Sequence, residues 1–126
     1  MNLLVETLVL LKEHNKSEKD ILWIGCKEFY TDWKNFKKLA NTEYDNGFGS
    51  PSVAEDLIIV GKDFWLERHE YDGYEWWEYN KSIPIKPENR KELVALTVEQ
   101  SESLGFKISC GRESLARING NKDNNE

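Results

Sequence analysis

A single α+β domain is what this sequence predicts: an antiparallel meander sheet of three to five strands, packed against an N-terminal helix and a second helix near residues 32–44. Three observations carry that expectation. Short runs of strong strand formers, Ile21-Leu22-Trp23-Ile24 and Leu57-Ile58-Ile59-Val60, are bounded by glycine or charge. An Asp72-Gly73 pair sits between two extended arms, the signal of a two-residue hairpin turn. Two other stretches, Leu3–Leu11 and Trp33–Tyr44, repeat apolar residues at helical spacing.

The first helix is expected over Leu3–Leu11, with Leu4, Leu8 and Leu11 on its apolar face, ending near His14. Asn15–Asp20 reads as a polar linker, and Glu28–Tyr30 as a short extended piece after the first strand. Thr31 or Asp32 can cap the second helix, whose Lys34, Lys37 and Lys38 lie on its wet side. The glycine-rich stretch 45–51 reads as a loop with Phe48 plugged into the core, followed by a short helical piece over Pro51–Glu55. Leu57–Val60 and the two hairpin arms form a three-strand meander. The prolines of Ile83-Pro84-Ile85-Lys86-Pro87 make an extended connector, because a proline cannot donate to a ladder. Leu93–Leu96 is expected as a fourth strand. Thr97 with Gln100 matches a capping box, and Gly105 ends that helix. Phe106–Cys110 is expected as a last strand and Arg112–Ile118 as a last helical turn or two. The domain is set at 1–118, with 119–126 as a flexible polar tail.

The 126 residues are 39% hydrophobic, enough for one core without staples. Lys plus Arg number 17 against 23 Asp plus Glu, a net charge of -6. Nucleic-acid binding is therefore disfavoured, since duplexes attract a basic face. No run is long and apolar enough for a membrane helix, and no signal peptide is expected. Cys26 and Cys110 cannot make a disulfide framework. One bridge between them stays open, and two free thiols in a reducing cytosol is the plainer reading.

The hairpin is the most informative stretch. A two-residue turn pairs Tyr71 with Tyr74, Glu70 with Glu75, His69 with Trp76, Arg68 with Trp77, Glu67 with Glu78, and Leu66 with Tyr79. Alternation then sorts the side chains into two faces. Phe64, Leu66, Arg68, Glu70, Glu75, Trp77 and Tyr79 are expected on the core side. There Arg68 should lie over Trp77 and satisfy Glu70 and Glu75. Trp65, Glu67, His69, Tyr71, Tyr74, Trp76 and Glu78 share the other side. Trp65, Tyr71, Tyr74 and Trp76 give that side the composition of a protein-recognition surface.

On the same side Glu67 and Glu78 are directly opposed, and like charges there repel unless something neutralises them. A divalent metal held by Glu67, His69 and Glu78 would do so, and defines the alternative of a metal-dependent hydrolase or lyase. The plainer arrangement has both glutamates in water and His69 against Trp76. No organic cofactor is implied. Asp45, Glu55 and Asp56 would form a carboxylate cluster only if the fold gathered them. No nucleophile stands beside a base, and Cys26 reads as a buried, inert thiol.

Asp56-Leu57-Ile58-Ile59-Val60-Gly61, together with the run from Trp65 to Glu78, resembles small uncharacterised proteins of low-GC Gram-positive bacteria and their phages or prophages. The resemblance implies a cytoplasmic accessory protein that binds a host factor, and it supplies no catalytic residues. The leading expectation is accordingly a small cytoplasmic binding or accessory module. Its partner is another protein, met through the aromatic hairpin face, or a second copy, met through the first helix.

Overall fold

The computed structural model describes residues 1–45, 51–106 and 113–120. The expected strand at 106–110 and the loop containing Phe48 fall largely outside those residues, as does Cys110. The chain folds as α+β. Helix α1 (Leu3–Glu13) precedes a single turn of 3-10 helix at Glu18–Asp20, β1 (Ile21–Gly25), β2 (Phe29–Thr31) and helix α2 (Trp33–Ala40). Then come β3 (Ile58–Gly61), β4 (Trp65–Tyr71), β5 (Tyr74–Asn80), β6 (Asn89–Arg90), α3 (Val98–Ser103) and α4 (Leu115–Ile118).

The six strands form one sheet in the order β5-β4-β3-β1-β2-β6. All pairs are antiparallel except β2 with β6. The β3-β4-β5 meander is as expected. The sheet exceeds the three to five strands expected by the two-residue β6, which is too short to leave a pattern in sequence.

Local chemistry sets the helix ends. Asn2, Asp32, Thr97 and Ser114 each accept a hydrogen bond from a backbone N–H in the first turn of the helix they precede. Thr97 and Gln100 make the anticipated capping box, and Gly105 (φ 91) ends α3. Helix α2 stops at Ala40, short of Tyr44. The 51–55 stretch is extended rather than helical: Val53 bridges Thr97, and the Ser52 and Val53 N–H groups are tied to Glu75.

Leu93–Leu96 is not a strand. Side-chain amides take the place of a ladder there. Asn35 accepts from the Leu93 N–H and donates to its carbonyl. Asn119 Oδ1 accepts from Val94 and Ala95, and Gln100 accepts from Leu96. Every backbone group so satisfied loses its reason to join a sheet. Asn119 itself therefore belongs to the folded unit, whose contacts run past 118.

The core lies between the sheet and the helices. Ile24, Ile59, Leu66 and Phe64 meet Phe36 of α2, Leu3 and Leu11 of α1, and Leu57, Leu93, Leu96, Leu115 and Ile118 from the C-terminal segments. Leu11 is fully buried, while Leu4 and Leu8 pack against the same core. The apolar residues that α1 turns outward are Val5 and Val9.

The connector from Asn80 to Asn89 must travel from one sheet edge to the other. Five strand spacings of ~4.8 Å make about 24 Å, and nine residues fully extended reach about 30 Å. It therefore crosses nearly taut. It does so on the side away from the helices: Pro84 lines a pocket with Ile58, Trp65 and Glu67, and Lys86 Nζ sits 4.2 Å from the Tyr30 ring centroid. Trp23 and Val60 share that side and are buried.

Candidate functional site

The hairpin turn is built as its residues demand. Asp72 (φ 52) and Gly73 (φ 85) both take positive φ, and Glu70 accepts from the Gly73 N–H at 2.9 Å. The register pairs Tyr71 with Tyr74 through Trp65 with Asn80, without a bulge. Each side chain consequently lies on the side that alternation assigns.

On the inner side, Arg68 is the organiser. Its guanidinium lies 4.7 Å from the Trp77 ring centroid, donates to Glu75 at 2.9 Å and to the Tyr44 hydroxyl at 3.1 Å, and reaches Glu6 at 3.4 Å. Tyr44 in turn donates to Glu6. The Arg68 side chain is 1% exposed and that of Glu75 2%. Burial opposes the Arg68 charge, but Tyr44, Glu6 and Glu75 outweigh it and hold the pKa above its usual value. Glu70, expected as a second partner, bonds the turn instead. Glu6 and Tyr44 replace it, and no spacing could have announced residues so distant in the chain.

On the outer side, Tyr71 and Tyr74 are 76% and 59% exposed at the hairpin tip. Trp76 lies half-buried behind them, its ring 6.2 Å from that of His69. Trp65 sits apart, beside Pro84 of the crossing connector, with its indole Nε1 buried and unpaired. Of the three metal-ligand candidates, Glu67 bonds His69 Nε2 at 2.8 Å, and Glu78 instead accepts from Trp76 Nε1 at 2.7 Å. Each carboxylate is thus engaged within its own strand, at the i+2 position.

Among the described residues, the titratable groups that do gather are Cys26, Glu28 and Asp56, whose ligand atoms lie within 4.8 Å of one another. The β1–β2 turn brings Cys26 and Glu28 together, and Asp56 enters at the start of β3. Glu28 and Asp56 line the pocket that also holds Lys27, Glu55, Ile58 and Trp65, and Cys26 is buried beside them. Burial pushes the Cys26 thiol up to about 12, so it is protonated at neutral pH and Sγ donates to Glu28 at 3.3 Å. A cation there would have to displace that proton first. Asp45 and Glu55 are not part of the cluster.

Burial, with Glu28 and Glu55 nearby, raises the Asp56 carboxyl pKa, although the Leu115 N–H donates to it at 2.6 Å. A folded-state pKa above the unfolded one favours the protonated form. The ionised carboxylate therefore weakens the fold as pH rises through that pKa, and below the unfolded value the penalty vanishes. Asp56→Asn keeps an acceptor for Leu115. It should melt higher than the parent at pH 7 in chelator, and the difference should close at pH 3. Thermal melts at the two pH values check this, and a lower melting temperature at pH 7 would contradict it.

Comparison with protein-family models, with curated proteins and with solved structures finds no match to this chain. Among the described residues, no helix is long and apolar enough to cross a membrane. What fold and site define is a small single-domain α+β protein with a largely antiparallel sheet and an N-terminal helix packed on it.

Proposed function

We propose that this protein is a small cytoplasmic binding or accessory module that meets a protein partner through the outer tip of its hairpin. The observation that carries the reading is the exposure of Tyr71 and Tyr74 on a hairpin whose inner side is locked by the buried Arg68 cluster. An aromatic pair on a rigid support binds with little ordering cost, and aromatics supply much of the energy of protein interfaces. Trp76 and His69 extend the platform, and Glu67 and Glu78 form a charged rim. Trp65, half-covered beside the connector at the far end of the hairpin, stands apart from that platform.

The test is affinity capture from cytosol with the parent chain and with Tyr71→Ser/Tyr74→Ser. Losing the exposed cross-strand pair should cost at most about 1 kcal/mol, so circular dichroism should show both folded. A protein retained by the parent and lost by the variant is the expected result. Equal retention of every captured protein would remove the hairpin tip as a binding site.

A further inference from the structure

Resting on the reading of the hairpin tip as a binding site, we infer that the protein it meets presents arginine side chains to the outer face of β4 and β5. Arg68 is the only lysine or arginine between Trp65 and Asn80, and it is buried on the inner side. The acids stay outside. Glu67 and Glu78 are directly opposed across the two strands, and Asp72 stands exposed in the turn. Among the described residues no lysine or arginine pairs with any of the three. Like charges set opposite each other destabilise a strand pair, and an arriving cation relieves them. His69 engages Glu67 Oε1 and the Trp76 indole engages Glu78 Oε2, so each carboxylate keeps its second oxygen for a newcomer.

The rings beside these acids are open as well. Neither Tyr71 nor Tyr74 stacks on another ring among the described residues, and Trp76 is only tilted against His69. A guanidinium uses a ring face and a carboxylate together, because it is planar, weakly hydrated and donates through a rigid fork. An ammonium matches the charge but not the plane.

The inner side of the same strand shows the fit. There Glu75 and Trp77, two residues apart, hold the Arg68 guanidinium, with the ring centroid at 4.7 Å and the carboxylate at 2.9 Å. On the outer side Trp76 and Glu78 repeat that spacing in reverse order, ring and carboxylate on one strand, and no lysine or arginine of the described chain completes them. Nucleic acid and anionic lipid would be repelled by the same three acids. An apolar partner would leave Glu67 and Glu78 facing each other without a counter-charge. Charge complementarity therefore favours an arginine-bearing protein segment as the occupant.

Titration of the isotope-labelled chain with an Arg-Gly repeat peptide, followed by NMR, tests the proposal. The Trp76 indole N–H and the Tyr71 and Tyr74 amides should shift saturably, while the Trp77 indole, bonded to buried Thr7, stays in place. The same peptide with citrulline for arginine keeps the plane, loses the charge and should not bind. With lysine it should bind more weakly, and salt of about 0.5 M should weaken the arginine peptide. Glu67→Gln/Glu78→Gln keeps acceptors for His69 and Trp76, so it should stay folded and bind the arginine peptide about fivefold more weakly. No shift at the hairpin would overturn the inference, as would equal binding of the citrulline or lysine peptide or parental affinity in the glutamine variant. A captured protein lost with Tyr71→Ser/Tyr74→Ser while the arginine peptide fails to bind would keep the tip as a site and remove arginine as what it meets. The two readings thus fail separately.

Discussion

Replacing Arg68 by alanine should cost about 3–5 kcal/mol, a large part of the stability of a domain this size. The side chain is buried and ties three elements together: Glu6 of α1, Tyr44 after α2, and Glu75 of β5. Its removal leaves the Glu75 carboxylate buried with, among the described residues, only the Ser52 and Val53 N–H groups for company. Lysine should be nearly as damaging, since one ammonium cannot reproduce a planar fork that stacks on Trp77 and reaches three acceptors. The partner variant is diagnostic. In an Arg68→Met background, Glu75→Gln removes the orphaned charge and keeps an acceptor for residues 52 and 53, so it should recover part of the loss. Leucine at 75 should not, because it strands those two donors. Urea unfolding measures all of these. A loss below about 1 kcal/mol for Arg68→Ala would show that the cluster is solvated and holds nothing.

The hairpin shows what a sequence can disclose. Asp72-Gly73 fixes the turn type, the turn fixes the register, and the register assigns every side chain from Leu66 to Tyr79 to a face. These are local rules, each acting over a few residues. The helix caps at Asp32 and Thr97 were legible for the same reason. Arg68 was readable as the inner-side organiser stacked on Trp77, but Glu6 and Tyr44 were not, since only the tertiary fold brings α1 and residue 44 to it. Cys26 and Glu28 sat near a strand end in plain view. Asp56 reaches them only because β3 pairs with β1, and the sheet order carries no local signal. The Leu93–Leu96 run misled because apolar residues mark burial, not strand. Asn35, Gln100 and Asn119 took over its hydrogen bonds, and nothing in their spacing says so. The connector's prolines excluded a central strand, but which side of the sheet it crosses depends on where the helices lie.

A methyl group at Gly25 should cost about 3 kcal/mol or more. Gly25 ends β1 with φ 157, and a Cβ there would lie 2.3 Å from the Phe29 carbonyl oxygen and 2.7 Å from the Tyr30 Cα. Both are backbone atoms of β2, and neither can step aside. Cys26 N–H donates to the same Phe29 oxygen at 2.9 Å, which closes the turn, and β1 is held on its other edge by β3. The turn can relieve the clash only by breaking the β1–β2 pairing. Gly105→Ala is the control: φ there is 91, and a Cβ would meet nothing within 4 Å among the described residues, so conformational strain of about 1–2 kcal/mol is what is at stake. The excess for Gly25→Ala over Gly105→Ala in chemical denaturation isolates the close approach of the two strands. Opening that turn also draws Glu28 away from Cys26 and Asp56 and admits solvent to the thiol. Alkylation of Cys26, slow in the parent because the thiol is buried and protonated, should accelerate in the same variant. If stability and thiol reactivity both stayed at parental values, the turn would have to adopt a second conformation that accepts a side chain, and the gathering of Cys26, Glu28 and Asp56 would not depend on Gly25.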